Sequence, residues 1–228
     1  MNWMKKVAVA LVCLLPLGLQ AAKVDTLQVK SPSMNKSIEV VVVSPDVAAT
    51  KACPVIYLLH GYGGNACTWV GIKPDLPKIA DEKGIFFVCP DGKNTWYWDS
   101  PLNADVRYET FISDELVKYV DSHYKTVVDR KGRAITGLSM GGHGAMWNGL
   151  RHSDVFSAAG STSGGVDIRP FPKNWEMSVQ IGEKAKYPEN WEKYTVINLV
   201  PTLRKDQIAL IFDCGDSDFF LEVNKNYH

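Results

Sequence analysis

Charge of one sign is what this sequence of 228 residues lacks. Its 25 Lys and Arg stand against 25 Asp and Glu, a formal net charge of zero with histidine neutral. A nucleic-acid partner draws much of its affinity from an excess of basic side chains, so that class of function has no electrostatic support. Cysteine is scarce: there are five, with no Cys-x-x-C pair and no Cys/His cluster at zinc-ligand spacing. No metal and no organic cofactor is expected. Long apolar runs are missing with one exception, Val7 to Leu19, which is too short for a comfortable membrane span. Internal repeats, low-complexity tracts and interdomain linkers are also wanting. What remains, 46% hydrophobic and 22% charged, is ordinary globular composition, and the length suits one large α/β domain.

The exceptional run has its own reading. Lys5 and Lys6 precede it, and Ala21-Ala22 follow it with small residues. Basic start, apolar middle and small-residue end are the parts of a secretory signal. Cys13 lies inside the run, but Val12 precedes it where a lipoprotein signal needs a small residue, so no lipidation is expected. The expectation is a signal peptide over 1–22, a domain over 23–228, and a secreted or periplasmic protein with no stable membrane span. Removing 1–22 takes away two of the 25 basic residues and none of the 25 acids, for a net charge of −2. Four cysteines then remain, Cys53, Cys67, Cys89 and Cys214. They allow three complete disulfide pairings that sequence does not choose between, and buried free thiols are the alternative.

Along the domain, Leu27–Lys30 alternates and Ile38–Val43 is β-branched, with turn chemistry between them at 31–36, so the two predict a hairpin. Val55–Leu59 and Ile85–Val88 are short continuous apolar runs, as in strands buried on both faces. Leu76, Ile79 and Ala80 lie at helical spacing, as do Phe111, Ile112, Leu116, Tyr119 and Val120. Val155–Ala159 and Ile208–Phe212 predict two more strands. Residues 166–205 lose this rhythm and predict a lid-like insertion over the sheet. Strands alternating with helices imply a mostly parallel sheet covered on both faces, with the opening hairpin as an antiparallel edge.

Ala134 to Ala145 organises the rest. A β-prone run enters Gly137-x-Ser139-x-Gly141, and a helix-compatible segment follows to Arg151. This is the setting of a nucleophile elbow: the strand ends, the chain turns sharply, and the serine is left exposed at a helix N-terminus. Ser139 is the candidate nucleophile. His60-Gly61-Tyr62-Gly63-Gly64 follows a buried strand and lets backbone N–H groups approach a ligand. Tyr62 N–H and Met140 N–H are the candidate oxyanion donors. Asp218, after the last strand, is the candidate acid that orients a histidine, with Asp216 as runner-up and helix capping as the alternative role. His60, Trp96, Tyr97 and His143 are candidates to line the substrate pocket, the rings by stacking on sugars or phenolic groups; covering the sheet is their other reading. A catalytic histidine should follow the acid. Only His228 does, ten positions beyond Asp218 on what reads as the same helix.

Leu58-Leu59-His60-Gly61, Pro90-Asp91-Gly92, Trp96-Tyr97-x-Asp99-Ser100-Pro101, Gly137-Leu138-Ser139-Met140-Gly141-Gly142 and Asp213-Cys214-Gly215-x-x-Asp218-Phe219 together resemble the Putative esterase family. That family groups esterase D-like S-formylglutathione hydrolases, the feruloyl and acetylxylan esterases of carbohydrate esterase family 1, and mycolyltransferases. The resemblance runs from about Leu27 to the end. It implies an α/β-hydrolase fold and a Ser-Asp-His triad that places Ser139 and Asp218, and it implies an acyl-ester substrate, on polysaccharides or small esters. The family's histidine lies in a further loop, after one more helix and strand. This sequence stops short of it, so the expectation is a chain incomplete at its C-terminus and of little activity alone. S-formylglutathione-type thioester hydrolysis, acyl transfer and an inert carbohydrate-binding relative are the competing functions. The leader reading makes a direct prediction: mass spectrometry of exported protein should find a mature N-terminus at Ala22 or Lys23, and a soluble cytosolic protein retaining 1–22 would refute it.

Overall fold

The structure is a computed structural model that describes residues 22–228. The expected leader, apart from Ala22, lies outside the described residues. Among the described residues seven strands form one sheet in the order β1-β2-β4-β3-β5-β6-β7. They are β1 Lys23–Ser31, β2 Lys36–Ser44, β3 Val55–Leu59, β4 Phe86–Pro90, β5 Arg133–Leu138, β6 Ala158–Thr162 and β7 Ala209–Asp213. The hairpin β1–β2 is antiparallel and joins β4 antiparallel, whereas β4, β3, β5, β6 and β7 run parallel. The α-helical segments among the described residues are α1 Thr68–Ile72, α2 Leu76–Lys83, α3 Tyr108–Thr110, α4 Leu116–His123, α5 Met140–Arg151, α6 Met177–Ile181, α7 Pro188–Lys193 and α8 Leu221–Tyr227, and a wider π-helical turn over Phe111–Glu115 joins α3 to α4.

β3 and β4 carry no charged residue because both faces of the sheet are covered there. Val40 to Val43 and every residue of β4 are buried. Their alternate residues feed two hydrophobic clusters: Val40, Val42, Phe86 and Val88 pack on one face, Val41, Val43, Phe87 and Cys89 on the other. The parallel ladder sets the register of β6 three residues later than the apolar pattern suggests. Ser157 N–H donates to Arg133 O and Ala158 pairs with Ala134, while Phe156 turns its ring edge-on to Tyr57 at 5.7 Å. Val155 and Phe156 are apolar for the core, then, and not for the sheet. β7 closes the far edge, and Ile211 there is 74% exposed.

The predicted lid is not a free lid. Val166, Ile168, Met177, Ile181, Trp191 and Val196 are fully buried within the main core, so 166–205 is a packed cap of short helices. No single period runs through this stretch, so its apolar residues do not show in the sequence as part of the core. All four cysteines within the described residues are free thiols, and none of their pairings is formed.

Helix α5 crosses beneath β3, β5 and β6, buried along nearly its whole length. At its far end Glu109 accepts from Trp147 Nε1 (2.7 Å), Arg151 Nε (2.8 Å) and His152 Nε2 (2.8 Å). At its near end glycine is a steric requirement. A Cβ on Gly141 would lie 2.2 Å from Leu59 O and 2.6 Å from His60 O, and one on Gly137 would lie 2.3 Å from Gly141 O. These obstacles are backbone and cannot rotate away. Gly141→Ala should therefore cost roughly 1–3 kcal/mol of stability in urea unfolding, whereas Gly71→Ala, with no atom within 4 Å of the new Cβ, should be neutral or slightly stabilising. Equal stability of the two variants would show that the close approach is not required.

Candidate active site

The chain leaves β3 for β4 on one side and later returns through β5 on the other, so the sheet has its switch point between β3 and β5. Ligands in open α/β sheets bind outside the carboxyl ends of strands at such a point. Leu59, the last residue of β3, pairs with Gly137 near the end of β5, so the two glycine-rich loops emerge side by side. Ser139 follows at φ 54° and ψ −118°, in backbone space that a side-chain-bearing residue avoids. Its N–H donates to Thr162 O (2.9 Å) and its carbonyl accepts from His143 N–H (3.0 Å). The residue is thereby locked between β6 and the first turn of α5. Met140, the first residue of α5, has no intrahelical acceptor for its N–H. The helix dipole adds partial positive charge at the same place.

The Tyr62 loop lies against the serine. A Cβ on Gly61 would sit 3.5 Å from Ser139 Cβ and 2.8 Å from Leu138 Cδ1. Three groups from the loop after β4 hold this turn. His60 Nε2 accepts from Gly92 N–H (2.9 Å), which leaves His60 Nδ1–H to donate to Gly61 O (2.7 Å). Tyr97 OH donates to His60 O (3.0 Å), and Gly63 N–H donates to Asn94 Oδ1 (2.9 Å). The loop that carries Tyr62 and the Ser139–Met140 turn thus lie side by side, with Gly61 against Ser139. Asp218 stands on the same sheet edge, five residues beyond β7, where its Oδ1 accepts from Phe220 N–H (2.7 Å) at the entry to α8. Among the described residues no histidine ring hydrogen-bonds the side chain of Ser139 or Asp218. His60 and His143 are occupied by core partners, His123 by Tyr119 O (2.8 Å), and His152 by Glu109. His228 packs near the Phe212 ring, at 6.1 Å between centroids.

The four residues assigned to the substrate pocket need correction. His60, Trp96, Tyr97 and His143 are each 1% exposed or less, which leaves no surface for a ligand. They are the foundation under the site. Trp96 and Trp98 stack at 5.6 Å, and Trp98 Nε1 donates to His143 Nε2 (2.8 Å). His143 Nδ1–H then donates to Gly165 O (2.8 Å). The side chains that do reach solvent beside the loops are others: Tyr62, 37% exposed, and Phe219, 60% exposed, with half-buried Trp175 packed on Phe219 at 5.2 Å. Trp175 stands out in the sequence as one of the aromatics of the 166–205 stretch and Phe219 as part of the Asp213–Phe219 motif, but only tertiary placement puts the two rings together. The cleft of about 440 Å³ lined by Lys36, Glu39, Asn65, Asp91 and Lys93 does not include Ser139.

A mostly parallel sheet with helices on both faces, a strained serine at the β5–α5 turn and a glycine loop after β3 define the α/β-hydrolase fold. The chain belongs to the Putative esterase family, whose model matches residues 31–227. It is similar to an acetyl esterase of Caldicellulosiruptor saccharolyticus, 25% identical over 75% of this chain and 68% of that protein. It is also similar to an esterase of Mycobacterium tuberculosis, 28% identical over 62% of this chain. The matched segment spans 32% of that longer protein. Among solved structures a ferulic acid esterase superposes with a TM-score of 0.73 at 29% identity, covering 91% of this chain and 84% of that one.

Burial lowers the pKa of His143 to about 4, and the hydrogen bond to Gly165 O recovers only part of the shift. Trp98 Nε1–H already points at His143 Nε2, so a second proton there would face a donor. The unfolded imidazole takes a proton below about pH 6.5 while the folded one does not, so stability falls with pH across the window from 6.5 to about 4. Urea unfolding should lose roughly 2 kcal/mol between pH 7 and pH 5 from this group, and His143→Gln should flatten the slope. A buried carboxylate acts lower: Asp91, which burial alone would raise, is held at about 2 by the Lys93 ammonium and N–H, so its contribution is lost only below about pH 4. An unchanged slope in His143→Gln would refute the assignment.

Proposed function

We propose that this chain is an exported serine carboxylic-ester hydrolase that works through an acyl-enzyme. The observation that carries the reading is the strained Ser139, held at a helix N-terminus with the Tyr62 turn against it. In this mechanism Ser139 Oγ attacks the acyl carbon, and the negative charge that develops on the acyl oxygen rests on Tyr62 N–H and Met140 N–H. The alcohol leaves, and water then releases the acid. The serine proton passes to a histidine, oriented by Asp218. Since no imidazole reaches Ser139 among the described residues, we infer that residues 22–228 by themselves leave the serine protonated and slow.

Acylated polysaccharides, with acetyl or feruloyl groups, are the proposed substrates. The names of the similar acetyl esterase and ferulic acid esterase support this, as does the leader-like N-terminus that would carry the protein to a secreted or periplasmic location. With Trp96, Tyr97 and Trp98 in the core, any stacking on a sugar or a phenolic acyl group falls to Trp175 and Phe219.

The test is chemical. A fluorophosphonate should label the full-length protein on Ser139, and Ser139→Ala should lose both the label and turnover of 4-nitrophenyl acetate. Residues 22–228 alone should be slower by several powers of ten, since loss of a triad member leaves only roughly 10³–10⁴-fold catalysis over water in enzymes of this type. Labelling that survives Ser139→Ala would refute the nucleophile.

A further inference from the structure

The loop carrying Tyr62 is a tight turn, and its shape depends on one peptide. Gly64 N–H donates to Gly61 O (3.0 Å), which closes a four-residue turn with Tyr62 and Gly63 at its centre. Gly63 has φ +77°, while Tyr62 is not among the residues with positive φ. Positive φ at the third position alone makes the turn type II. Types I and II differ by a flip of the central peptide, here Tyr62–Gly63. Which way that peptide points is read from Gly63 N–H, and it points at Asn94 Oδ1, 2.9 Å away.

A second partner orients the Asn94 amide. Its Nδ2 donates to Glu176 Oε2 (3.4 Å), so the amide presents its oxygen to Gly63 and its nitrogen to the carboxylate. Glu176 in turn is held in place from the cap. It follows Trp175, and both have left-handed backbones, φ 53° and 49°. Trp175 O accepts from Trp96 Nε1 (3.1 Å). The Tyr62 phenol has its pKa raised by partial desolvation and by the Glu176 carboxylate beside it. A flip of the Tyr62–Gly63 peptide would bring the Tyr62 carbonyl towards Asn94 Oδ1, setting two acceptors against each other with no proton between them.

We propose that Asn94, held by Glu176, is a positioning residue of the oxyanion loop: by fixing the Tyr62–Gly63 peptide it anchors the tip of the Gly61–Gly64 turn, and with it the place of the Tyr62 N–H beside Ser139. The inference rests on the ester-hydrolase reading above. Neither side chain touches the reacting atoms; both act through the turn. Misplacing a pre-aimed donor by a fraction of an ångström weakens the transition state and leaves ground-state binding nearly intact, so the effect belongs in kcat and not in KM.

Two measurements on the full-length protein test this. In steady-state hydrolysis of 4-nitrophenyl acetate, Asn94→Ala should lower kcat roughly 10- to 100-fold with KM changed by less than about two-fold. Glu176→Gln, which keeps an acceptor for Asn94, should stay within about two-fold of wild type, and Glu176→Ala should fall between the two. In amide hydrogen exchange, Gly63 should lose protection in Asn94→Ala while the amides of α5 keep theirs. Unchanged kcat in Asn94→Ala, or unchanged Gly63 exchange, overturns the proposal. Loss of protection throughout the domain would also overturn it, by making Asn94 a general stabiliser. Wild-type turnover that survives Ser139→Ala is a different failure: it removes the ester-hydrolase reading itself and this inference with it.

Discussion

Backbone-to-backbone contact at one point sets the geometry of the rest. The start of α5 presses on the ends of β3 and β5 so closely that Gly141 has no room for a methyl group beside Leu59 O and His60 O. Everything at the site inherits its position from that contact. Ser139 is strained because the chain must reverse within two residues of it. The Met140 N–H faces outward because the helix starts there. The Tyr62 turn lies beside the serine because β3 and β5 are paired neighbours at Leu59 and Gly137. A bulkier residue at either glycine would separate the layers and move all three groups at once.

This point was legible in the sequence because glycine is an unambiguous statement about space. Gly137-x-Ser139-x-Gly141 after a β-prone run identifies the elbow, and the apolar runs of β3 and β4 identify buried parallel strands. The hairpin was legible for a different reason: turn residues at 31–36 separate two β-prone segments, although the strands extend further than their alternation suggests. Aromatic residues were not legible in the same way. Trp96, Tyr97 and Trp98 read equally well as a stacking surface or as core, because a large amphipathic ring suits both. Only burial decides, and it places them inside. The cap over 166–205 hid its core for the reverse reason: Met177 and Ile181 share the five-residue α6, Trp191 lies in the six-residue α7 and Val196 opens a 3-10 turn over Val196–Thr202, so no window is long enough to show a period.

The polar groups that hold the Tyr62 turn were also invisible. Asn94 lies three residues past Asp91 in what reads as an ordinary turn, and Glu176 lies 82 positions further along the chain. Their meeting is a product of topology: the β4 loop and the cap both arrive at the carboxyl edge of the sheet. Sequence patterns report a residue's neighbours in an element, and neither of these residues acts through its own element.

Strain is distributed unevenly around the site, and burial explains where it is held firmly. Trp96 and Tyr97 have φ of 58° and 60°, each conformation costing roughly 1–3 kcal/mol. Both rings are fully buried, and hiding a ring of this size contributes roughly 4–6 kcal/mol at about 25 cal/mol per Å². Burial wins, so the foundation beneath α5 is rigid in spite of its backbone. Trp175 and Glu176 carry the same kind of strain with much less to offset it, since the first is half-buried and the second exposed. Their hold comes from the Trp96–Trp175 hydrogen bond and from ring contacts with Phe219 and Phe220. The two sides of the site therefore differ in stiffness: the serine and its helix stand on a buried aromatic block, while the rim that faces the ligand is held by a few exposed contacts and can yield without disturbing the elbow.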